Sequence, residues 1–385
     1  MNRISDAVTL KRVVKDAAVQ AGFDVVGIAS ADVFRERGDT AKERVSEGLM
    51  DGLPWFTEQR IERGMNPANM LDGARSIISL ALSHHHEGDA EALDSQPRGR
   101  IARYAWGEDY HRVFARKVRA FIETLPEITG VEDIGTRWYT DTGPMLDRAV
   151  AERAGVGWFG KNTNILTPQG SWMLLAQIIT TLDLTPDEPL KKTCGVCNIC
   201  VDACPTGAII APYVLDNRKC ISYLTIENRG PIPRELRPFI GDWIFGCDVC
   251  QDVCPVNRKA QVGKAYTELT RDAENRARPE LVELLELDDD GFRERFRQSA
   301  VLRAKPEGMR RNVCIALGNI ADPATVPPLA RVLSEDPSPI VRGHAAWALG
   351  RIRTTEAMEA LDDALQKESG AGTLEEIELA LKEAG

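Results

Sequence analysis

The chain has 385 residues, of which 43% are hydrophobic and 28% are charged, a composition typical of a globular protein with two or three domains. Its formal net charge of −10 excludes nucleic-acid binding over the whole surface, although a local basic patch is compatible with it. The sequence shows neither a signal peptide nor a membrane-spanning stretch, so we expect a cytoplasmic protein. In that reducing compartment, closely spaced cysteines favour metal binding over disulfides.

Residues 1–187 alternate apolar β-branched runs with helical patterns, which predicts an α/β or α+β domain. Phe23–Ile28 and Ser76–Leu82 have the composition of buried strands, and Tyr110–Leu125 carries apolar residues at helical spacing. Asn164–Thr167 and Trp172–Thr181 flank a Pro-Gln-Gly turn and therefore predict a hairpin. The pattern does not determine the strand order.

Asp141 stands between an apolar-aromatic strand and a predicted helix, Met145–Ala154, which a glycine-rich loop follows. Glycines in such a loop let the backbone approach a ligand closely. Asp141 itself has two interpretations. An aspartate before a helix commonly caps its free amide groups, whereas a carboxyl kept protonated by apolar neighbours such as Tyr139 can donate a proton. The spacing favours the cap, but the sequence alone does not separate the two.

Eight of the nine cysteines lie between Cys194 and Cys254. The group that begins at Cys194 spells C-x2-C-x2-C-x3-C-P, and the group that begins at Cys247 spells C-x2-C-x3-C-P. In two-cluster ferredoxins such motifs hold [4Fe–4S] clusters, and the last cysteine of the run ligates the other cluster. The spacing is poor for zinc. It therefore predicts a ferredoxin-like domain with two clusters over residues 188–265.

Because each motif supplies the fourth ligand of the other motif's cluster, the eight cysteines divide into two sets. The second motif is one cysteine short, and Cys220, the only cysteine between the motifs, completes its set. Cys314 lies further along the chain at a repeat position matched by Ala345, which indicates a buried core residue. The predicted ligands are Cys194, Cys197, Cys200 and Cys254 for cluster 1, and Cys204, Cys220, Cys247 and Cys250 for cluster 2.

Residues 266–385 repeat themselves at an offset of 32 residues. Arg310–Ile320 matches Arg342–Ile352 with Ala-Leu-Gly in register, and Leu329 and Leu333 recur as leucines at the same offset. Helical periodicity repeated at this length predicts stacked helix pairs of HEAT type.

An arginine-rich stretch, Arg293–Arg311, opens this repeat region. Such a charge run is most often a solvated helix face, but it can also bind phosphate groups. The candidate phosphate-binding residues are Arg297, Arg303, Lys305, Arg310, Arg311 and Arg342.

Four features together resemble the epoxyqueuosine reductase family. They are DTGPMLDRAVAERAGVGWFGKNTNIL from Asp141, the two cysteine motifs, CISYLTIENRGPIP from Cys220, and the C-terminal repeat pair, in this order over nearly the whole chain. The resemblance implies an α+β protein: a cobalamin-binding catalytic α/β domain at 1–187, the two-cluster domain at 188–265 and HEAT-like repeats at 266–385. It implies the final step of queuosine synthesis, in which the epoxide of epoxyqueuosine at the tRNA wobble position is reduced with electrons that pass through both clusters to cobalamin.

The resemblance also assigns roles to single residues. The family's proton donor falls on Asp141, which overturns the capping interpretation, and a tRNA substrate makes phosphate binding the preferred interpretation of the arginine-rich stretch. The implied partners are the anticodon stem-loop of tRNA and an unidentified electron donor, and we expect a monomer. The implied cobalamin contacts are Arg63, Asp141, Lys161, Asn162, Asn164, Ser222 and Asp248.

Two other functions remain open. A corrinoid iron–sulfur reductase of small molecules, such as a reductive dehalogenase, would use the same cysteines but would not need a basic solenoid. A two-cluster electron-transfer subunit whose repeats dock a partner would bind no corrinoid.

Overall fold

The computed structural model describes residues 6–86 and 96–384, which form two units that interleave along the chain. The first unit contains residues 6–86, 108–218 and 249–271. The second contains residues 96–107, 219–248 and 272–384. The domain boundaries expected at residues 187 and 265 stay predictions.

The strands are short apart from three of the four that build the main sheet. They are β1 (Val25–Ser30), β2 (Ser76–Ser83), β3 (Arg100–Ile101), β4 (Thr136–Tyr139), β5 (Trp158–Phe159), β6 (Ile165–Leu166), β7 (Met173–Thr180), β8 (Ile209–Ala211), β9 (Val214–Leu215) and β10 (Trp243–Phe245).

The helices of the two units vary in length from four to 20 residues. They run in chain order as α1 (Ala7–Gln20), α2 (Arg35–Ser46), α3 (Glu58–Met65), α4 (Tyr110–Thr129), α5 (Asp147–Arg153), α6 (Ile199–Asp202), α7 (Ile221–Ile226), α8 (Arg237–Ile240), α9 (Val249–Asp252), α10 (Tyr266–Thr270), α11 (Ala273–Arg276), α12 (Leu281–Leu285), α13 (Asp289–Arg295), α14 (Lys305–Ile320), α15 (Val326–Glu335), α16 (Pro339–Ile352), α17 (Thr355–Lys367) and α18 (Ala371–Ala384). Within the described ranges, none of these helices is both long and apolar enough to cross a membrane.

The main sheet of the first unit has the order β1-β2-β7-β4, and every neighbouring pair is antiparallel. All eight residues of β2 are buried because this strand has a neighbour on each side and is covered on both faces. The predicted strands near residues 25 and 76 are therefore confirmed. Both ends of the sheet lead into loops, and the loop after β4 carries Asp141.

The predicted hairpin around Pro168 is wrong in its pairing. The turn itself forms, since Thr167 and Gly170 exchange backbone hydrogen bonds of 2.9 and 3.1 Å. The flanking strands separate, however, because β6 pairs with β5 while β7 enters the main sheet between β2 and β4. The eight-residue strand β2 and the four-residue strand β4 together bury more of β7 than the two-residue strand β6 could.

Helix α5 covers one face of the main sheet. Its buried side chains, such as Val150, pack into an apolar cluster with Ala29, Ile77 and Ile179 from the strands. The helix approaches the sheet closely at Gly27, where a Cβ atom would lie only 2.1 Å from the carbonyl oxygen of Ala154. Glycine is thus required at this contact.

The second unit ends in the helical repeats, whose glycines explain the 32-residue pattern. A Cβ atom on Gly318 of α14 would lie 2.8 Å from Ala348 Cα of α16, and one on Gly350 would lie 3.0 Å from Ala380 Cα of α18. Both the glycines and the residues that they face recur at an offset of 32. The repeated Ala-Leu-Gly therefore marks the points where successive inner helices cross, which confirms the predicted solenoid.

Candidate active site and cluster ligands

Four cysteines of the first unit form one group of thiols. Burial raises the pKa of Cys200, and the neighbouring negative charges of Cys254, Cys194 and Cys197 raise it further. Burial likewise raises the pKa of Cys254, with added contributions from Cys194 and Cys197. Neighbouring thiolates repel each other, and a cationic iron centre that binds them would compensate this repulsion. These four cysteines are thus neighbours, but within the described residues no group of three or more metal-binding side chains has the arrangement of a metal site, so the ligand set of cluster 1 stays a prediction.

The two cysteine motifs fold alike. Cys200 lies in α6 and Cys250 lies in α9, and these short helices occupy equivalent positions 50 residues apart and pack on each other. Tight backbone turns surround them, with amide-to-carbonyl distances of 3.1 Å from Cys197 to Cys194 and 3.0 Å from Cys254 to Gln251. Each of the eight cysteines is half-buried, and the described structure joins none of them in a disulfide.

The second predicted set divides between the units. Cys204 and Cys250 belong to the first unit, whereas Cys220, at the start of α7, and Cys247, after β10, belong to the second. This set stays a prediction. Cys314 is fully buried within α14, so its expected role as a core residue is confirmed.

The loop from Lys161 to Asn164 contacts the cysteine-bearing helices. The Lys161 ammonium donates to Asn198 Oδ1 at 2.7 Å, and the side-chain amide of Asn162 donates to the Cys250 carbonyl at 3.3 Å. The Asn164 amide lies 3.9 Å from Cys250 Sγ, within hydrogen-bond distance for sulfur. Amide donors to ligand sulfur tune the potential of a cluster. The spacing of the cysteines gave no indication of these contacts.

Asp141 occupies a strained turn at the end of β4. Its φ of 56° is left-handed, and the amide of Thr142 donates to the carbonyl of Thr140 at 2.5 Å across it, which closes a γ-turn. Such backbone strain costs of the order of 1–3 kcal/mol and is often found at functional sites. The turn presents the Asp141 carboxyl to solvent, with 59% of the side chain exposed.

Three side chains surround this turn. The Tyr110 hydroxyl donates to Asp141 Oδ2 at 2.8 Å, and His111 Nε2 lies 3.9 Å from the same oxygen. The Arg60 guanidinium donates to the backbone carbonyls of Asp141, at 3.4 Å, and of Gly143. Sequence reasoning missed all three, because only the tertiary fold brings α3 and the start of α4 to this loop.

The structure overturns both sequence-based accounts of Asp141's surroundings. The helix begins at Asp147 with Leu146 as its N-cap, so Asp141 does not cap it. An apolar pocket around the carboxyl is also absent from the described residues, because Tyr139 packs against Gly143, where a Cβ would lie 2.1 Å from its ring, and Asp141 turns outward. The role of Asp141 as proton donor stays a prediction, but apolar neighbours cannot be what keeps its carboxyl protonated.

A second carboxyl, missed from the sequence, lies beneath this loop. Burial raises the pKa of Asp147 to about 7, and the negative charge of Asp141 contributes to the rise. Asp147 Oδ1 is buried, and within the described residues it has no hydrogen-bond partner. Burial also lowers the pKa of the adjacent Arg148, which donates to the Thr163 carbonyl at 2.7 Å. A carboxyl with such a raised pKa is a candidate for proton transfer near neutral pH.

The remaining predicted cobalamin contacts are dispersed. Arg63 is exposed on α3 in the first unit. Ser222 is half-buried in α7 of the second unit, and Asp248 in the same unit is buried and accepts a 2.8 Å hydrogen bond from the amide of Arg103. The assignment of these residues to a cofactor stays a prediction.

The prediction that Arg311 binds phosphate is wrong. Arg311 is only 1% exposed, and its guanidinium donates to the carbonyls of Leu224, Asn228 and Gly230 at 2.7, 2.9 and 2.6 Å. Every nitrogen of the group is engaged inside the second unit, since Asn312 Oδ1 accepts the rest. Arg311 thus fastens α14 to the segment around residue 228.

Arg310 and Arg342 form equivalent ion pairs in successive repeats. Arg310 Nε lies 2.8 Å from Asp336 Oδ2, and Arg342 Nε lies 2.7 Å from Glu368 Oε2. Both arginines and both acids are related by the 32-residue offset, and the hydrogen bond from Arg342 lowers the pKa of Glu368 to about 2. These two arginines are at least partly committed to the fold.

The other basic candidates are more accessible. Arg303 is paired with Glu227, and 39% of its side chain is exposed. Arg297 is 70% exposed, with Glu294 at 3.7 Å, and Lys305 is also exposed. These three stay predicted phosphate contacts.

Three family models match separate parts of the chain. Residues 65–142 match the model described as epoxyqueuosine reductase QueG, DUF1730. Residues 193–257 match a 4Fe-4S double cluster binding domain, and residues 298–382 match HEAT repeats. The double-cluster model covers all eight cysteines between Cys194 and Cys254, and the HEAT model covers the inner helices that cross at Gly318 and Gly350.

Relatives resemble the chain over almost its full length. A Bacillus anthracis protein named epoxyqueuosine reductase is 38% identical over 370 residues, which cover 94% of each chain. A crystal structure of epoxyqueuosine reductase with an epoxyqueuosine-modified tRNA-Tyr stem loop is 35% identical, with a TM-score of 0.90 and coverage of 98% of this chain and 99% of that one. A Bacillus subtilis epoxyqueuosine reductase, described with an aspartate-bearing catalytic loop swung out of the active site, is 35% identical, with a TM-score of 0.90 and coverage of 97% and 99%.

Proposed function

Because the chain belongs to the epoxyqueuosine reductase family, we propose that Asp141 is the group that protonates the epoxide oxygen when the enzyme reduces epoxyqueuosine in tRNA. The protein is an oxidoreductase with two [4Fe–4S] clusters, and its substrate is the epoxide of a tRNA nucleoside. The observation that carries the proposal is the presentation of Asp141 on a strained turn, exposed to solvent and held by Tyr110.

The reaction requires a proton donor beside the source of electrons. Removal of the epoxide oxygen to leave an alkene consumes two electrons and two protons and releases water. The clusters supply electrons singly, and a bound cobalamin would supply a low-valent metal that collects them. The chain's own residues must then position the substrate and protonate the departing oxygen.

Cobalamin belongs to the proposal. Lys161, Asn162 and Asn164 fit a cofactor that exchanges electrons with a cluster, because their loop contacts Asn198 and the ligand cysteine Cys250. The further residues that would hold it are Arg63, Asp141, Ser222 and Asp248.

Tyr110 and Arg60 determine how Asp141 is presented. The hydroxyl of Tyr110 donates to Asp141 Oδ2 at 2.8 Å. The other carboxyl oxygen, Oδ1, would then be the one that contacts the substrate. Arg60 fixes the turn through its carbonyls rather than through the carboxyl, so it holds the loop without forming a side-chain ion pair with Asp141. The acid is therefore oriented but still able to carry a proton.

We place the tRNA on the exposed basic residues of the second unit, with Arg297, Arg303 and Lys305 as phosphate contacts. A relative is known in complex with a modified stem loop, which supports this class of substrate. A monomer in the cytoplasm that receives electrons from an unidentified donor completes the proposal.

The test is anaerobic reconstitution with iron, sulfide and cobalamin, followed by an assay on tRNA that contains epoxyqueuosine. We expect mass spectrometry of the nucleosides to show queuosine only when cobalamin and a strong reductant are present. Asp141→Asn should keep both clusters and the corrinoid, seen in the visible spectrum, but lose turnover by roughly 10²- to 10⁴-fold. Wild-type turnover in that variant would exclude Asp141 as the donor. A loaded wild-type protein that leaves tRNA unchanged would favour a small-molecule reductase.

A further inference from the structure

One row of residues across the main sheet interrupts the apolar face beneath α5. Gly27, Ser79, Gln177 and Tyr139 are direct neighbours on β1, β2, β7 and β4, so their side-chain directions coincide. The rows on either side belong to the apolar cluster. Ser79 and Gln177 are nevertheless fully buried, at 0% exposure each. Polar groups at such positions are costly unless they are hydrogen-bonded.

Three oxygens at this place lack partners within the described structure. They are Ser79 Oγ, Gln177 Oε1 and Asp147 Oδ1, and each is buried. The Gln177 amide donates to the backbone carbonyl of Asp147 at 3.2 Å, which joins the polar row to the first residue of α5. Buried polar atoms in native proteins are satisfied by protein or by ordered water. Bound water would complete the hydrogen bonds of these three oxygens.

We propose that Asp147, with Gln177 and Ser79, binds buried water beneath the Asp141 turn and stores the second proton of the reaction. This inference rests on the proposed function, in which reduction of the epoxide releases water and consumes two protons. Asp141 holds only one. When tRNA covers the exposed turn, a second proton must reach Asp141 from inside the protein. The carboxyl of Asp147 is the buried acid nearest in sequence and is electrostatically coupled to Asp141.

The proton path balances. Asp141 gives its proton to the departing oxygen and becomes a carboxylate. The Asp147 O–H bond then breaks, its proton passes through the bound water to Asp141, and Asp141 delivers it to complete the water molecule. The two electrons come from the reduced clusters. Asp147 regains a proton from solvent after the product leaves.

Charged groups act on the proton of Asp147 in both directions. Asp141 raises its pKa, whereas Arg148 and Arg60 act in the opposite direction. In the row beneath it the strands contribute the uncharged side chains of Ser79, Gln177 and Tyr139, and the Arg137 guanidinium of β4 donates to the Tyr139 hydroxyl at 3.1 Å. The resulting pKa of about 7 allows Asp147 to hold a proton at neutral pH.

The first experiment does not depend on turnover. Infrared spectra of the wild type and of Asp147→Asn, recorded on the cluster-loaded protein between pH 5 and 9, are compared in the carboxylic-acid C=O region. We expect the wild type to show an additional protonated band that titrates with a midpoint of about 7 and that the variant lacks. Asp133→Asn, at an exposed carboxyl before β4, is the matched control and should leave the band unchanged. If the band at pH 6 is the same in wild type and Asp147→Asn, the proposal is overturned.

The second experiment measures turnover of epoxyqueuosine-containing tRNA. Asp147→Asn should lower kcat by roughly 10- to 100-fold with KM unchanged, and its rate should no longer fall as pH rises through 7. Gln177→Leu, which keeps the acid but removes a water acceptor, should slow turnover in the same direction. An Asp147→Asn enzyme with the wild-type rate and pH profile would refute the proton store. If even the wild type fails to convert the tRNA, the proposed function fails, and the infrared result still decides whether Asp147 holds the proton.

Discussion

Asp147 in the first unit and Arg311 in the second are both ionisable groups inside the protein, but their partners differ. Arg311 donates to three backbone carbonyls and to Asn312, so every nitrogen of its guanidinium is used. Within the described residues, neither Asp147 Oδ1 nor Gln177 Oε1 beneath it has a hydrogen-bond partner. Burial moves the pKa of both groups towards neutrality, to about 10 for Arg311 and about 7 for Asp147.

This difference in hydrogen bonding distinguishes a residue that stabilises the fold from one that can take part in chemistry. A buried polar group whose hydrogen bonds are complete stabilises one arrangement of the chain and has little reason to change its protonation. A buried polar group that lacks a hydrogen-bond partner lowers stability. Such a group is often retained because it has a function, such as binding water or a proton. Arg311 thus belongs to the assembly of the helical repeats, whereas we assign Asp147 to the proposed site.

The largest expected effect is the loss of Arg311. Arg311→Met removes donors from the carbonyls of Leu224, Asn228 and Gly230, and the free energy of unfolding of the second unit should fall by roughly 3 to 5 kcal/mol. Hydrogen exchange at residues 224–230 should rise in parallel. Arg297→Met, at an exposed arginine, is the control and should change stability by less than about 0.5 kcal/mol. A tolerated Arg311→Met would mean that complete hydrogen bonding does not mark a structural residue here.

The next effect is the pH dependence of stability at Asp147. Its pKa is raised from an ordinary 3.8 to about 7, so the folded protein binds the proton more tightly than the unfolded chain. Wild-type stability relative to Asp147→Asn should therefore fall as pH rises from about 4 to 7 and stay level above that. The shift sets an upper limit of about 4 kcal/mol. Urea unfolding of both proteins at pH 5 and pH 8 measures it, and equal differences at the two pH values would contradict the raised pKa.

Much of the fold could be predicted because it rests on short-range patterns. The apolar spacing of α4, the buried runs of β1 and β2 and the 32-residue repeat all follow from periodicity, and the cysteine spacing follows from the geometry of cluster ligation. The pairing of β7 could not be foreseen, since it depends on competition between β6 and the main sheet.

The site was less predictable for the same physical reason. Tyr110 and Arg60 reach Asp141 only through tertiary contacts, and Asp147 is buried only because α5 packs on the sheet. Arg311 looked like its charged neighbours in sequence. The inner helices of a solenoid are buried on several faces, however, so helical periodicity does not reveal which arginine points inward. The repeat itself held a signal, since Arg310 aligns with Arg342 whereas Arg311 aligns with Gly343.

The smallest effect, and the sharpest comparison, comes from two amides replaced by leucine. Asn312 donates to the carbonyls of Thr225 and Ile244 at 2.8 and 2.9 Å, so Asn312→Leu should cost about 2 to 3 kcal/mol. Gln177 makes one bond of 3.2 Å and leaves its oxygen open, so Gln177→Leu should change stability by no more than about 1 kcal/mol. Both side chains are fully buried, and the two substitutions remove similar groups. Thermal unfolding of the pair therefore isolates the contribution of the hydrogen bonds, and equal losses would show that Gln177 is satisfied by tightly held water as completely as Asn312 is by protein.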